Sequence, residues 1–244
     1  MMLKRYINSI KEHFNQTKIA RVQYLKESIL WSFSMIGQER YGSCLDVGCG
    51  IGESAHLLSG YADETFGIDY NPRHIRAACK KYMNVRFKAE SVYDLKFRRG
   101  QFDLITAFSL LEHLEDLGAA IEKISQVQKD KGIFLVQIPN RYFFFELHTY
   151  LPFLYLLPLR MRIFIFSRFG YTKDALFASG LSLATLKKEL KPHYDVLAIK
   201  KMIYPIEIIP PNFRPIYKLS LRLGLFEILP FGYILVCRKK VNKD

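Results

Sequence analysis

Short apolar runs alternate with amphipathic stretches between residues 43 and 140. The apolar runs predict β-strands, and the intervening stretches, whose apolar residues recur every three or four positions, predict helices. Strands that alternate with helices are typical of a mostly parallel sheet covered by helices on both faces. The five strands predicted in this region are residues 43–47, 65–69, 85–89, 102–108 and 132–138.

The pattern differs on both sides of this region. Apolar residues at helical spacing over residues 3–36 predict two helices, broken near Asn15–Thr17, that pack over the sheet or form a lid. Residues 142–180 are rich in aromatic residues and proline, and they predict a helical insertion over the site. The chain then returns to an amphipathic helix that opens at Ser182. Two late strands complete the sheet, at residues 194–200 and 231–238.

The composition is that of a globular protein, with 244 residues, 50% hydrophobic and 24% charged. We predict one domain in four parts, because 244 residues suffice for a single core. These parts are N-terminal helices, a sheet core, a helical insertion and a C-terminal completion of the sheet. Their bounds are 1–42, 43–141, 142–180 and 181–244.

The turn after the first predicted strand reads Asp46-x-Gly48-x-Gly50-x-Gly52. Glycines permit backbone angles closed to other residues and let a ligand approach the chain closely. The second strand ends at Asp69, where a carboxylate can accept hydrogen bonds from the hydroxyls of a ribose. This arrangement predicts a nucleotide-sized pocket, although glycines in a tight turn are often purely structural.

A dinucleotide-binding fingerprint needs its third glycine one place later, where Glu53 stands. The spacing instead resembles motif I of the class I methyltransferases that depend on S-adenosylmethionine (SAM). Leu111-Glu112-His113 and the fifth strand, Gly132–Asn140, resemble in the same order the type 11 and type 12 families and the ubiquinone-biosynthesis O-methyltransferases. The resemblance implies an α/β, Rossmann-like, doubly wound sheet of seven strands whose last strand is antiparallel.

The resemblance also implies SAM as the cofactor and a role for each residue near the turn. The turn would border the methionine half of SAM, Asp69 would bind the ribose, and Tyr70 would cover one face of the adenine. Ser91 and Val92 would flank the base, although many relatives carry Asp-Ala there, and Phe108 would lie near the sulfonium. The cofactor-binding residues expected in this way are Asp46, Gly48, Cys49, Gly50, Gly52, Asp69, Tyr70, Ser91, Val92 and Phe108.

Methyl transfer from a sulfonium depends mainly on the positions of donor and acceptor, because the leaving group is already good. A hydroxyl acceptor also benefits from a base that removes its proton. His113 is the candidate base, since an imidazole exchanges protons near neutral pH. Glu112 would orient this imidazole or face solvent. Alternatively, His113 caps the following helix or binds Glu112 for a purely structural reason.

Missing motifs narrow the choice of methyl acceptor. Neither Asp/Asn-Pro-Pro-Tyr nor Pro-Cys follows the fourth strand, which argues against amino methylation of DNA bases or glutamine and against cytosine C5 methylation. We expect a small-molecule or lipid-linked acceptor, methylated at oxygen. The alternatives are an RNA methyltransferase, a non-catalytic SAM-binding scaffold and, more remotely, a Rossmann dehydrogenase.

The net charge of +13 lies mostly in the C-terminal part, where residues 141–244 hold 17 Lys and Arg against 7 Asp and Glu. This bias predicts an anionic substrate or surface, or reflects solubility alone. Bulky apolar residues beside Arg160, Arg162 and Arg168 could place residues 142–170 at a membrane surface, or line a cap over the site.

The four cysteines show neither zinc spacing nor a C-x-x-C pair, so we expect no metal site and no disulfide. No run reaches the roughly 18 apolar residues of a membrane span. The first residues are polar and lack an apolar signal core. We therefore expect a cytoplasmic protein, either soluble or peripheral at a membrane surface.

Overall fold

The computed structural model describes residues 9, 12–13, 15–143, 157–169 and 181–241, and a sheet of seven strands lies at its centre. The strands are β1 Tyr41–Val47, β2 Ala62–Asp69, β3 Arg86–Ala89, β4 Phe102–Phe108, β5 Gln128–Pro139, β6 Tyr194–Met202 and β7 Gly232–Lys239. Their order across the sheet is β3-β2-β1-β4-β5-β7-β6.

β1 lies between β2 and β4, and all three run parallel. Leu45 of β1 pairs with Phe66 on one side and with Ile105 on the other. The chain leaves β1 toward β2 and β3, then crosses back to β4, so the strand order reverses beside β1. In open α/β sheets such a reversal opens a crevice at the carboxyl ends of the strands, where ligands bind.

β7 is antiparallel to both of its neighbours, β5 and β6. Leu235 at its centre pairs with Val136 of β5 and with Ile199 of β6. The predicted seven-stranded, Rossmann-like sheet with an antiparallel last strand is therefore confirmed.

Eight α-helices lie in the described part of the chain. They are α1 Lys18–Ile36, α2 Glu53–Leu58, α3 Pro72–Lys81, α4 Leu117–Val127, α5 Leu159–Phe169, α6 Leu183–Leu190, α7 Arg214–Arg222 and α8 Leu225–Ile228. Side-chain caps fix three helix starts, because Asn71, Asp116 and Ser182 each accept a hydrogen bond from a backbone N–H of the first turn. The predicted helix start at Ser182 is thus confirmed.

Helices cover both faces of the sheet, and neighbouring residues of β4 separate the two sides of the core. Ile105 packs in a cluster with Ile121 of α4 and other buried residues of α4 and α6. Leu104, which faces the opposite way, packs in a second cluster with Ile29 and Phe33 of α1. α1 therefore packs over the sheet, one of the two positions predicted for the N-terminal helices.

Parts of two predicted regions lie outside the described residues. α1 begins at Lys18 after a turn at Thr17, which agrees with the predicted break, but most of the first predicted helix lies beyond the described part. Of the predicted insertion at 142–180, the structure describes residues 142–143 and 157–169, which include α5. No helix in the described ranges is long and apolar enough to cross a membrane.

Candidate active site

The glycine turn after β1 is attached to the end of β2. The N–H groups of Gly48 and Cys49 both donate to the carbonyl oxygen of Ile68, at 2.8 and 2.9 Å. The N–H of Gly50 donates to Oδ2 of Asp69 at 3.0 Å. The first and second strands therefore end at one shared cradle, as the sequence pattern predicts.

The three glycines of the turn have different neighbours, although each has a positive φ, between 54° and 88°. A Cβ at Gly48 would lie 2.7 Å from the Leu110 side chain, and a Cβ at Gly52 would lie 2.7 Å from the Phe87 ring. A Cβ at Gly50 would have no atom within 4 Å. Gly48 and Gly52 thus permit close packing inside the protein, and Gly50 borders open space that a ligand can enter.

Asp69 has most of its hydrogen-bonding capacity in use. Its Oδ1 accepts from the N–H of Asn71 at 2.8 Å and lies 3.3 Å from Nδ1 of His74, and Oδ2 accepts from Gly50. A carboxylate offers about four lone pairs, so room remains for one more donor, and for a second if His74 turns away. The predicted bonds from Asp69 to a ribose are compatible with this geometry, which also gives Asp69 a structural task.

Asp46 lies behind the turn, with 1% of its surface exposed. Its carboxylate accepts hydrogen bonds from the hydroxyls of Ser54, at the start of α2, and of Thr106 on β4, the latter at 2.7 Å. Burial raises the pKa of this carboxyl to about 6. The hydrogen bonds from Ser54 and Thr106 lower the pKa in part, and the nearby charge of Asp69 raises it. Asp46 therefore joins β1, α2 and β4 beneath the turn, and its side chain does not face the open space.

Two further side chains that the resemblance assigns to SAM binding are packed into the protein. Cys49 is 5% exposed and packs with Ala55, Ile75 and Val85, and Val92 is 7% exposed in the main core. Little of either residue is exposed, and the predicted contact of both with SAM stays a prediction.

The segment after β2 and β3 offers more accessible groups. Tyr70 follows Asp69 directly and is 73% exposed. Ser91 accepts a hydrogen bond from the N–H of Tyr93 at 3.3 Å, and the hydroxyl of Tyr93 accepts one from the N–H of Asp116. These loops carry exposed ring faces beside the β2 end, where a flat base can stack.

The segment after β4 runs against the glycine turn. Phe108 ends the strand, Ser109 adopts a positive φ of 50°, and Leu110 contacts Gly48. A single 3-10 turn, Leu111–His113, follows, with Glu112 only 3% exposed and His113 half-buried. The alternative that Glu112 faces solvent is therefore wrong. His113 lies three residues from Leu110, which touches the turn.

Sequence reasoning did not find four residues that shape this site: Ser54, Thr106, His74 and Leu110. Thr106 gave one usable signal, because a hydroxyl inside the apolar run 102–108 needs a partner when it is buried. Its partner, 60 residues away, had no local signature. The described residues hold no group of three or more His, Cys, Asp or Glu side chains that could bind a metal ion.

The residues present fit SAM. Open space borders Gly50, the Asp69 carboxylate beside it can accept a further donor, and the exposed Tyr70 follows Asp69 in the chain. The sheet order and this cradle at the end of β1 define the class: a Rossmann-like domain with a nucleotide-sized site at the carboxyl end of β1.

Comparison with known proteins supports this assignment. Residues 45–136 match the family model described as a methyltransferase domain. A probable S-adenosylmethionine-dependent methyltransferase of Mycolicibacterium smegmatis is 29% identical over 97 residues, which cover 40% of this chain and 38% of that protein. The ubiquinone biosynthesis O-methyltransferase of Pelagibacter ubique is 27% identical over 128 residues, covering 50% and 53%. Residues 45–136 are thus similar to a SAM-dependent methyltransferase domain, and the chain spans about half or less of the length of these relatives.

One solved structure shows the same fold with its ligands. Geranyl diphosphate C-methyltransferase from Streptomyces coelicolor A3(2), in complex with Mg²⁺, geranyl diphosphate and S-adenosyl-L-homocysteine, has a TM-score of 0.58. The match covers 88% of this chain and 77% of that one, with 13% sequence identity. The likeness extends the shared fold beyond residues 45–136 to most of the chain.

Proposed function

We propose that this protein transfers a methyl group from SAM to a hydroxyl oxygen of a small-molecule or lipid-linked acceptor. The observation that carries the proposal is the meeting of three strand ends at one cradle. Asp69 at the end of β2 accepts a hydrogen bond from Gly50 after β1, and Leu110 after β4 packs on Gly48. The 3-10 turn with His113 follows within three residues.

Each part of this cradle has a task in the reaction. The cofactor supplies an electrophilic methyl group on a positively charged sulfur. Asp69 and the open space at Gly50 hold the ribose and the adjoining part of the molecule. His113 takes the proton from the acceptor hydroxyl, and the buried Glu112 beside it positions the imidazole. Positioning supplies most of the acceleration, because the leaving group is already good.

An apolar or amphiphilic acceptor agrees with the relatives and with the surface. The matched relative from Pelagibacter ubique is a ubiquinone biosynthesis O-methyltransferase. In the described part of the predicted insertion, Met161, Ile163 and Phe164 are exposed beside Arg160 and Arg168. These residues of α5 line a cap for such a substrate or contact a membrane surface through 142–170, with the protein cytoplasmic or peripheral.

The first test is calorimetric titration of the purified protein with SAM and, separately, with NADH, alongside the Asp69→Ala variant. We expect SAM to bind, NADH to give no signal, and the variant to lose SAM binding. No SAM binding by folded protein would overturn the cofactor assignment, and NADH binding would favour a dehydrogenase.

The second test follows transfer of labelled methyl groups from SAM to extracts that contain quinones or polyprenyl sugars, with total RNA as a separate substrate. We expect label in an apolar extract, bound through oxygen. Label in RNA would replace this proposal with an RNA methyltransferase. SAM binding without transfer to either substrate would indicate a binding protein.

A further inference from the structure

The surface formed by α7 and α8 exposes an unusual number of large aliphatic side chains. Their exposed fractions range from 42% to 82%. These residues are Ile216, Leu219, Leu221, Leu223, Leu225 and Ile228. The inner side of the same helices is fixed, because Tyr217 and Phe226 are buried in an aromatic cluster with Phe231. The outer residues therefore stay at the surface because of packing beneath them.

Three exposed aliphatic residues of α7 and its C-terminal cap lie on one side of the helix, whereas Leu221 lies on another side. At about 100° per residue, Ile216, Leu219 and Leu223 fall within a sector of roughly 60°, away from the buried Tyr217. Lys218 and Arg222, one turn apart, run along one edge of this apolar stripe. α7 thus has two apolar sides. The buried Tyr217 packs against the protein, and the exposed apolar stripe, with cations along one edge, faces outward.

The local charge is positive. Lys218 and Arg222 make no ion pair within the described part of the chain, and both are exposed. Glu227, the one acidic residue in 214–228, is already paired with Lys201 at 3.0 Å. The remaining charges of this surface are therefore uncompensated cations, on a chain whose net charge is +13.

We propose that α7 and α8 bind the surface of an anionic phospholipid bilayer. An aliphatic stripe edged with Lys and Arg matches the boundary between acyl chains and anionic headgroups, where the long cationic side chains reach up to the phosphates. A protein partner fits less well, because protein interfaces are centred on aromatic residues, and Leu and Val are uncommon among their hot spots. The large exposed hydrophobic residues of 214–228 are all aliphatic. This contact needs no methyl transfer.

The test is flotation of the full chain with vesicles of phosphatidylcholine alone and with vesicles that also contain phosphatidylserine. We expect binding to the anionic vesicles to exceed binding to the neutral ones by at least about tenfold, since each Lys or Arg near such a surface adds about fivefold. The double variant Leu219→Ser/Leu223→Ser should lose at least about tenfold. Met83→Ser is the matched control, because Met83 is 96% exposed outside this surface, and should bind as the wild type does.

The possible results distinguish a bilayer from a second copy of the chain as the partner of this surface. Both changed leucines are more than half exposed, so the double variant should keep the wild-type circular dichroism and unfolding midpoint. The proposal is overturned if the wild type ignores anionic vesicles, or if the double variant floats as the wild type does. It is also overturned if only Ile163→Ser/Phe164→Ser abolishes flotation, which would place the contact on α5. A dimer that the double variant dissociates, without vesicle binding, would assign the surface to a second copy of the chain.

Discussion

The carboxylate of Asp69 accepts a hydrogen bond from the N–H of Gly50 across 3.0 Å, and so joins the end of β2 to the turn after β1. The residue expected to bind a ribose is therefore also the residue that fixes the glycine turn. Because the same side chain fixes the turn and is expected to bind the ribose, we expect a change at Asp69 to affect both SAM binding and the structure of the turn.

Asp69→Ala should weaken SAM binding by at least about a hundredfold and lower the free energy of unfolding by about 1–3 kcal/mol. The change removes a ligand contact and leaves the N–H groups of Gly50 and Asn71 without their acceptor. Calorimetry and urea unfolding measure the two effects. His74→Ala is the matched control, since His74 contacts Asp69 at 3.3 Å but does not hold the turn. Equal SAM affinity in Asp69→Ala and the wild type would contradict this role.

Alanine at Gly50 and alanine at Gly52 should both lower stability, but Gly52→Ala should lower it more, and Gly50→Ala should act mainly on SAM binding. At Gly50 the added methyl meets open space, so Gly50→Ala should lose about 1–2 kcal/mol of stability through its positive φ and lose SAM binding through occupied space. At Gly52 the methyl would lie 2.7 Å from the Phe87 ring, and stability should fall further. Thermal unfolding and SAM titration of both variants test this contrast. A Gly50→Ala protein that binds SAM normally would place the ligand elsewhere.

The elements near this cradle were predictable because their signals are local. Strand β4 was predicted with its observed bounds, since Phe102–Phe108 is a mostly apolar run. The caps at Asn71 and Ser182 are also local signals, because each residue directly precedes the first residue of its helix. Three strands begin earlier than predicted: β1 at Tyr41, β2 at Ala62 and β5 at Gln128. In β2 and β5, charged residues at exposed positions hide the first residues of the strand.

The contacts that shape the site could not be predicted from local patterns. Asp46 and Thr106 are 60 residues apart, and only the pairing of β1 with β4 brings them together. In the same way, the Cys49 side chain is buried because Ile75 of α3 packs over the turn. The pattern therefore predicts which residues lie at the turn, and tertiary packing decides which of their atoms face the ligand.

The stability of the protein should depend on the protonation of Asp46. Its pKa in the folded protein is about 6, above the ordinary value of 3.8, so the folded state holds this proton more tightly than the unfolded chain does. The group therefore adds stability as the pH falls through 6 and costs stability above it. Relative to Asp46→Asn, the wild type should gain about 1.4 kcal/mol between about pH 7.5 and pH 5. Urea unfolding of both proteins across this range measures the difference, and a flat or falling difference would contradict it.

Thr106→Val should lower the free energy of unfolding by about 1–3 kcal/mol, because the change removes the hydroxyl that donates to buried Asp46 while it keeps the side-chain shape. It should also raise the pKa of Asp46 further and shift the pH dependence upward. Thr65→Val is a matched control on β2, since Thr65 is buried and its hydroxyl has no hydrogen-bond partner among the residues that the structure describes. That variant should be neutral or more stable. Equal losses in both variants would show that the Asp46 bond contributes nothing.

His113→Ala should lower kcat for a hydroxyl acceptor by about 10²–10⁴-fold while the affinity for SAM stays unchanged. The wild-type rate should rise with pH as the imidazole loses its proton, and the variant should lose this dependence. His193→Ala is the matched control, because His193 precedes β6 at the opposite edge of the sheet. Glu112→Gln should give a smaller loss with the pH dependence retained, since a positioning residue acts through His113. If His113→Ala instead lowers SAM affinity and stability while the remaining enzyme keeps the wild-type pH profile, His113 has a structural role and the base lies elsewhere.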